Sequence, residues 1–185
     1  MRIAYILFDD ITWLDFFGFY NAISRLKSLN CLPDLTWDIC GRTDIVQDVS
    51  GLKVHVDKVG NSLHEYDTIF IPGGLGTRQL VKDESFLDWI RSVNKNALMC
   101  SVCTGSLILG AAGFLKDKKA TTHFNEYNTL EKYCRQVVRE RIVEDGNVIT
   151  AGAVASSIDL GLYVCEKWAD RHAAAAIRKS MDYKF

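Results

Sequence analysis

Short apolar segments alternate with helical segments along most of the chain, and this alternation constrains the fold more than any other feature. Residues 2–7, 68–71 and 96–102 are apolar runs with the length of buried strands. Apolar residues recur at helical spacing in residues 12–29 and 104–112, each of which follows such a run. Strands that alternate with helices usually pair in parallel and have helices on both faces. The sequence therefore predicts an α/β protein with a mostly parallel sheet, whose ligand crevice lies beyond the carboxyl ends of the strands.

The remaining segments extend the same order without dividing the chain. A second strand, two helices, a hairpin and two closing helices are predicted at residues 35–40, 80–93, 125–133, 137–150, 154–168 and 170–179. The hairpin turns at Glu144-Asp145-Gly146, between strands at residues 137–143 and 147–150. The sequence contains no repeat, low-complexity tract or flexible linker. We therefore expect residues 1–185 to form a single domain.

Charge and hydropathy exclude several classes of partner. The 22 basic and 23 acidic residues give a formal net charge of -1, so we expect neither nucleic acid nor a membrane surface as a partner. The sequence contains no run of about 18 or more apolar residues, so no membrane-spanning helix is expected. The apolar opening at residues 3–8 runs into Asp9-Asp10 and is too short for a signal sequence. These features indicate a cytoplasmic protein whose six cysteines are reduced.

Cys103 lies at the point where an apolar strand changes to a helix within one residue. The surrounding sequence is Val102-Cys103-Thr104-Gly105, and Gly105 permits the close backbone approach that such a sharp turn needs. This pattern is typical of a nucleophile elbow, with sulfur in place of the serine oxygen. Nucleophiles on such turns are held in a sparsely populated φ/ψ region. The N-terminal end of the following helix is expected to stabilise the thiolate and to lower the pKa of Cys103.

Two other interpretations of Cys103 remain open. It could be a buried structural thiol, since most free cysteines are core residues. It could also form a redox pair with Cys100, in a Cys-x-x-Cys motif. An extended strand, however, separates these two Cα atoms by about 10 Å, which exceeds the limit of about 7 Å for a disulfide. This distance argues against the redox pair, and a small apolar residue would suffice for a structural role, so we favour the nucleophile over both alternatives.

Two further segments are expected at the same edge of the sheet. Pro72-Gly73-Gly74 ends the strand at residues 68–71, and its backbone N–H groups could form an oxyanion hole with the N–H of Thr104. Such a string is by itself also a common simple turn. Asp15 stands among aromatic residues near the start of a predicted helix. Its carboxyl group either takes part in chemistry or satisfies N–H groups of the first helical turn.

Histidine and metal chemistry are less strongly indicated. Of the four histidines, His123 in Thr121-Thr122-His123 could lie near the crevice, whereas the other three stand in polar surroundings that are typical of a surface. No His-x-x-x-His or similar spacing is present, so no metal site is expected.

Together these segments resemble the ThiJ/PfpI superfamily along nearly the whole chain. The markers are Pro72-Gly73-Gly74, the elbow at Cys103, Thr121-Thr122-His123, and Thr150-Ala151-Gly152 before Ile158-Asp159. The resemblance implies a flavodoxin-like three-layer sandwich, related to the class I glutamine amidotransferases. It also implies a homodimer.

Within the superfamily the sequence is most similar to the isonitrile hydratase subgroup. Asp10-Ile11-Thr12-Trp13-Leu14-Asp15 matches the string after the first strand of that subgroup, and Cys103-Thr104-Gly105 matches its elbow. The resemblance implies hydration of a small organic isonitrile to an N-substituted formamide, with Cys103 as nucleophile and Asp15 as acid and base. Thr104 would assist, and substrate contacts would come from Gly73, Gly74 and His123. It implies no metal and no organic cofactor.

Two departures from the superfamily pattern bear on the activity. Protease-like members have histidine directly after the nucleophile, where this chain has Thr104, so a Cys-His-Glu protease triad is not expected. Ala153 stands where we expect glycine in a hydratase, which leaves the exact substrate open. One alternative is a glyoxalase-like or deglycase-like enzyme, in which His123 would carry protons. The other is a non-enzymatic ligand or oxidation sensor.

Overall fold

A computed structural model describes residues 1–184, which contain eleven strands, seven α-helices and one short 3-10 turn. The strands are β1 (Arg2–Ile6), β2 (Thr36–Gly41), β3 (Ile45–Gln47), β4 (Lys53–His55), β5 (Lys58–Val59), β6 (Thr68–Ile71), β7 (Leu98–Val102), β8 (Lys119–Ala120), β9 (Gln136–Val137), β10 (Ile142–Asp145) and β11 (Val148–Ala151). The α-helices are α1 (Trp13–Ser28), α2 (Thr77–Leu80), α3 (Glu84–Arg91), α4 (Gly105–Ala111), α5 (Tyr127–Leu130), α6 (Ser156–Trp168) and α7 (Arg171–Ser180). Residue 185, the last of the predicted single domain, lies outside the described residues.

Seven strands form the central sheet, in the order β10-β11-β7-β6-β1-β2-β5. Its neighbouring strands are parallel, except for the antiparallel pair of β10 and β11. The chain order reverses at β1, which lies between β6 and β2, and such a reversal is where α/β sheets bind ligands. Helices α1, α6 and α7 pack together, and α2 to α5 form a second packed group. The predicted three-layer fold with a mostly parallel sheet is confirmed.

An aromatic cluster in the core fixes α1 against the sheet. Tyr5 of β1 contacts the rings of Phe16 and Phe19 from α1 and of Phe70 from β6. The rings of Phe19 and Phe70 are stacked, with centroids 4.1 Å apart. Full burial of one such side chain contributes about 1.5–3 kcal/mol. The cluster therefore holds the first turn of α1, which contains Asp15, close to the end of β6.

Two predicted helices are shorter in the structure than the sequence indicates. The helix predicted at residues 80–93 is interrupted, because the Asp83 side chain accepts a hydrogen bond from the Phe86 N–H at 3.0 Å and starts a new helix. The helix predicted at residues 125–133 is a 3-10 turn, Phe124–Glu126, followed by the four-residue α5. No helix within residues 1–184 has the length and apolar character needed to cross a membrane.

The predicted hairpin is confirmed as β10 and β11, but its first strand is shorter than predicted. Ile142 to Asp145 pair with Ala151 to Val148 in antiparallel register. The start of the predicted strand instead belongs to β9, which pairs with β8, and the Val138 N–H donates to the Ala120 carbonyl. Because that segment is already bonded to β8, it does not extend β10.

Candidate active site

The backbone at Cys103 makes the sharp turn that its sequence predicts. β7 ends at Val102, α4 begins at Gly105, and Cys103 has a φ of 56°. This left-handed conformation is uncommon for a residue with a side chain and stores strain. A Cβ atom at Gly105 would lie 2.2 Å from the Ile71 carbonyl oxygen, so glycine is needed there. The predicted elbow and its backbone strain are both confirmed.

Hydrogen bonds from neighbouring segments hold the strained turn. The Cys103 N–H donates to the carbonyl oxygens of Ala151 at 3.0 Å and Gly152 at 2.8 Å. The Cys103 carbonyl accepts from the hydroxyls of Thr122 at 2.9 Å and Ser106 at 3.1 Å. Since the turn is bonded on both sides, the direction of the Cys103 side chain is fixed.

The Cys103 thiol is surrounded by hydrogen-bond donors and one acidic group. The Thr104 and Val154 N–H groups and the Thr104 hydroxyl each lower the pKa of Cys103. Burial, followed by the charge of Asp15, outweighs them and raises the pKa of Cys103 to about 12. The prediction of a lowered pKa is therefore wrong. The helix end acts on a thiol that is withdrawn from water and lies beside a carboxyl group.

Asp15 is fully buried next to this thiol, in the first turn of α1. Its Oδ2 accepts a hydrogen bond from the Gly73 N–H at 2.9 Å, whereas Oδ1 has no nitrogen or oxygen partner among residues 1–184. Burial raises the pKa of Asp15 from 3.8 to about 7, and hydrogen bonds from Gly73 and the Cys103 thiol oppose this rise. Since the carboxyl is directed to Gly73 and the thiol, Asp15 does not cap its own helix.

Gly73 and Gly74 shape the site, but their N–H groups are already bonded within the protein. Gly73 donates to Asp15, and Gly74 donates to the Thr104 hydroxyl at 3.0 Å. Both N–H groups therefore have buried acceptors within the protein, and an oxyanion hole at these glycines stays a prediction. A Cβ atom at Gly73 would lie 2.8 Å from Asp15 Oδ2, from Cys103 Cβ and from the Thr104 nitrogen. Glycine is needed at this position to let the acid approach the nucleophile.

A cavity of about 190 Å³ opens onto Cys103 and Thr104. Its other lining residues are Thr12, Gly74, Leu75, Arg78, His123, Asn125, Glu126 and Val154. The structure thus brings His123 to the crevice, as predicted, and its Nδ1 accepts a hydrogen bond from the Asn125 N–H at 3.2 Å. Asp15 and Gly73 lie behind this wall. A larger cavity of about 330 Å³ beside Arg42 contains no cysteine.

Sequence reasoning missed several lining residues of this site, and three of them bear on its chemistry. Val154 directs its N–H to the sulfur, and a backbone donor of this kind leaves no signal in the sequence. Arg78 and Glu126 form an ion pair of 3.2 Å on the cavity wall. A signal for Arg78 exists, since it follows the glycine-rich turn at the end of β6 by only a few residues.

The remaining cysteines and acids do not form a second chemical centre in the described part of the chain. All six cysteines are free thiols, and Cys100 is fully buried within β7. No group of three or more histidine, cysteine, aspartate or glutamate side chains among residues 1–184 could hold a metal ion.

A strained cysteine above a parallel sheet, beside a buried acid, defines a class of α/β proteins with a nucleophile elbow. Residues 1–167 match the model of the DJ-1/PfpI family, and the chain belongs to this family.

Three relatives give this membership more detail. The chain is 33% identical over 186 residues to isonitrile hydratase from Pseudomonas putida, an alignment that covers 99% of this chain and 78% of that protein. A ThiJ/PfpI family protein from Pseudomonas syringae superposes with a TM-score of 0.90 at 28% identity, covering 100% of this chain and 75% of that one. Drosophila melanogaster DJ-1beta has the same fold, with a TM-score of 0.84, 18% identity, and coverage of 100% and 98%. The predicted superfamily and its flavodoxin-like fold are confirmed.

Proposed function

We propose that the protein hydrates a small organic isonitrile to an N-substituted formamide, with Cys103 as the nucleophile. The observation that carries this proposal is the contact between the Cys103 thiol and the buried Asp15 carboxyl, behind a cavity that opens onto the sulfur. Similarity to isonitrile hydratase along 99% of the chain supports the same reaction. The substrate would be a small molecule, because the cavity measures only about 190 Å³.

Near neutral pH, the Cys103 thiol can supply a proton and the Asp15 carboxylate can act as the base that accepts it. With the pKa of Asp15 at about 7 and that of Cys103 at about 12, the carboxyl is partly ionised while the thiol keeps its proton. The two groups titrate as a coupled pair. The carboxylate can accept the thiol proton while sulfur bonds to carbon, so the resting enzyme needs no free thiolate.

In the first half of the reaction, the Cys103 sulfur attacks the terminal isonitrile carbon and a C–S bond forms. The thiol proton moves to Asp15 and from there to the same carbon, which leaves a thioimidate, R–N=CH–S–Cys103. The Thr104 and Val154 N–H groups contact the sulfur and stabilise the negative charge that develops there during the transfer.

In the second half, water adds to the thioimidate carbon. Asp15 takes a proton from the water and returns it to the substrate nitrogen, which gives a tetrahedral intermediate. The C–S bond then breaks, the C=O bond forms, and Asp15 carries the hydroxyl proton to the departing Cys103 sulfur. The balance is R–N≡C + H₂O → R–NH–CHO, and the chain returns to its starting protonation state.

Turnover of an aromatic isonitrile tests this proposal. We expect the parent protein to release the formamide, and Cys103→Ser to lose at least about 100-fold in rate. Cys134→Ser is the matched control, because Cys134 is a partly buried free thiol that does not line the cavity. Absence of formamide with the parent protein, or equal rates for the parent and Cys103→Ser, would contradict the proposal.

A second candidate is a glyoxalase-like or deglycase-like reaction on a reactive carbonyl. It is favoured by the position of His123 on the wall of the Cys103 cavity, where an imidazole could carry protons. Methylglyoxal turnover that requires His123 and exceeds isonitrile turnover would support this reaction instead. Turnover of neither compound would favour a non-enzymatic ligand or oxidation sensor.

A further inference from the structure

In the ion pair on the wall of the Cys103 cavity, the carboxylate has more of its hydrogen-bonding capacity filled than the guanidinium. Arg78 Nη2 donates to Glu126 Oε1 at 3.2 Å, and the two side chains are 55% and 19% exposed. Glu126 Oε2 also accepts from the Thr129 hydroxyl at 2.8 Å, so both carboxylate oxygens have a donor. A guanidinium has five N–H donors. Those of Arg78 outside the Glu126 bond have no partner within residues 1–184.

The rest of the polar wall can also donate hydrogen bonds to a ligand. His123 accepts the Asn125 N–H at Nδ1, which leaves the proton of a neutral ring on Nε2. The Thr12 hydroxyl does not cap its helix, and both this hydroxyl and the Asn125 side-chain amide can donate or accept a hydrogen bond at the wall. Glu126, already bonded twice, is the single carboxylate among the described lining residues. The wall is therefore suited to a negatively charged ligand rather than a positively charged one.

We propose that Arg78 binds an anionic group of the substrate, so that the cavity takes an isonitrile that also carries a carboxylate. This inference rests on the proposed function, because it concerns the substituent of a substrate whose isonitrile carbon meets Cys103. A guanidinium binds a carboxylate through two parallel N–H···O bonds. Glu126 occupies one donor of Arg78 and orients the side chain, and the other donors remain for the substrate.

Two probes of nearly the same shape test the charge preference. They are 4-isocyanobenzoate and 4-isocyanobenzamide, which differ by one negative charge. We expect the parent protein to have a higher kcat/KM for 4-isocyanobenzoate than for 4-isocyanobenzamide. Arg78→Gln should lower the ratio of the two kcat/KM values about tenfold to 100-fold, mainly through KM. The preference of the parent should also weaken at high salt, since Arg78 is exposed.

Arg135→Gln is the matched control for this substitution. Arg135 is 58% exposed, bonds one carboxylate, that of Asp145, at 3.4 Å, and does not line the cavity. Its substitution should leave the ratio of the two kcat/KM values as in the parent. A parent protein that turns over both probes equally, or an equal loss for both in Arg78→Gln, would overturn the inference.

Binding of the products separates this inference from the proposed reaction. The probes are 4-formamidobenzoate and 4-formamidobenzamide, titrated into the parent and Arg78→Gln without any turnover. If the parent binds the carboxylate product more tightly and Arg78→Gln loses this preference, the role of Arg78 is supported. This holds even if the protein hydrates no isonitrile, and that failure would refute only the proposed reaction. Equal affinity of the parent for both products would overturn the role of Arg78.

Discussion

The Cys103 thiol and the Asp15 carboxyl form one buried acid–thiol pair at the carboxyl ends of the central strands. Asp15 comes from the first turn of α1, Cys103 comes from the turn between β7 and α4, and Gly73 lies between them without a side chain. The thiol lowers the pKa of Asp15, and the charge of Asp15 raises the pKa of Cys103. Reactivity and stability therefore depend on the same two residues.

Replacing Asp15 with asparagine is expected to make Cys103 more reactive toward alkylation. The substitution removes the negative charge that raises the pKa of Cys103, so more thiolate is present at pH 8. Iodoacetamide labelling of Cys103, measured by peptide mapping, should become several-fold faster in Asp15→Asn. Asp88→Asn, which changes an exposed carboxyl away from the cavity, is the control. Slower labelling in Asp15→Asn than in the parent would contradict the coupling of the pair.

The buried carboxyl is expected to make the protein less stable as pH rises. Asp15 titrates near 3.8 in an ordinary environment but at about 7 in the folded protein, so between these values only the folded state keeps the proton. The stability that this proton provides is complete below about pH 4 and is lost as pH rises through about 7.

Denaturant unfolding from pH 5 to pH 8 measures this effect. Asp15→Asn should gain stability relative to the parent as pH rises, with a slope of up to ~1.4 kcal/mol per pH unit below the pKa of the folded state. If Asp15 were only a helix cap, Asp15→Asn would change the stability little between pH 5 and pH 8, because asparagine caps a helix about as well as aspartate.

Alanine at position 105 is expected to destabilise the elbow. The new Cβ atom would lie 2.2 Å from the carbonyl oxygen of Ile71, which belongs to β6 and cannot move alone. We expect Gly105→Ala to lose about 1–3 kcal/mol or more in the free energy of unfolding. Gly152→Ala is the control, because its Cβ atom would come no closer than 3.4 Å to the Ser156 hydroxyl oxygen, and its change should stay within about 1 kcal/mol. Similar losses for both variants would argue against the close approach at the elbow.

Thr104 is expected to need its hydroxyl more than its methyl group. The Thr104 Oγ1 accepts the Gly74 N–H at 3.0 Å and lowers the pKa of Cys103. Thr104→Val leaves that buried N–H unpaired, which costs about 1–3 kcal/mol, and it should slow the alkylation of Cys103. Thr104→Ser keeps the hydroxyl and should remain close to the parent in both measurements. Equal stability and equal alkylation rates of the two variants would show that the Thr104 hydroxyl has no role in the site.

The parts of this structure that are encoded locally could be predicted from the sequence. The parallel sheet follows from apolar runs that alternate with helical periodicity, and the elbow follows from Cys103 and Gly105 within three residues. The break before α3 is also local, but helical periodicity concealed the capping role of Asp83. The homodimer and the cytoplasmic location remain predictions.

The proton chemistry of the site could not be predicted, because it depends on contacts between distant segments. Asp15 and Gly73 are 58 positions apart, and only the fold determines that the Gly73 N–H meets this carboxyl. The pKa of Cys103 likewise depends on burial and on Asp15, whose effects exceed that of the helix end. Motifs identified the residues of the site, while the three-dimensional contacts determined their protonation.

Mass spectrometry of the peptide that contains Cys103 tests the central claim most directly. The peptide is isolated after the turnover of an aromatic isonitrile has been rapidly quenched. The account predicts an increase equal to the mass of the isonitrile, on Cys103 and on none of the other five cysteines, while formamide accumulates. Unmodified Cys103 throughout turnover, together with formamide formation by Cys103→Ser at the parental rate, would contradict it.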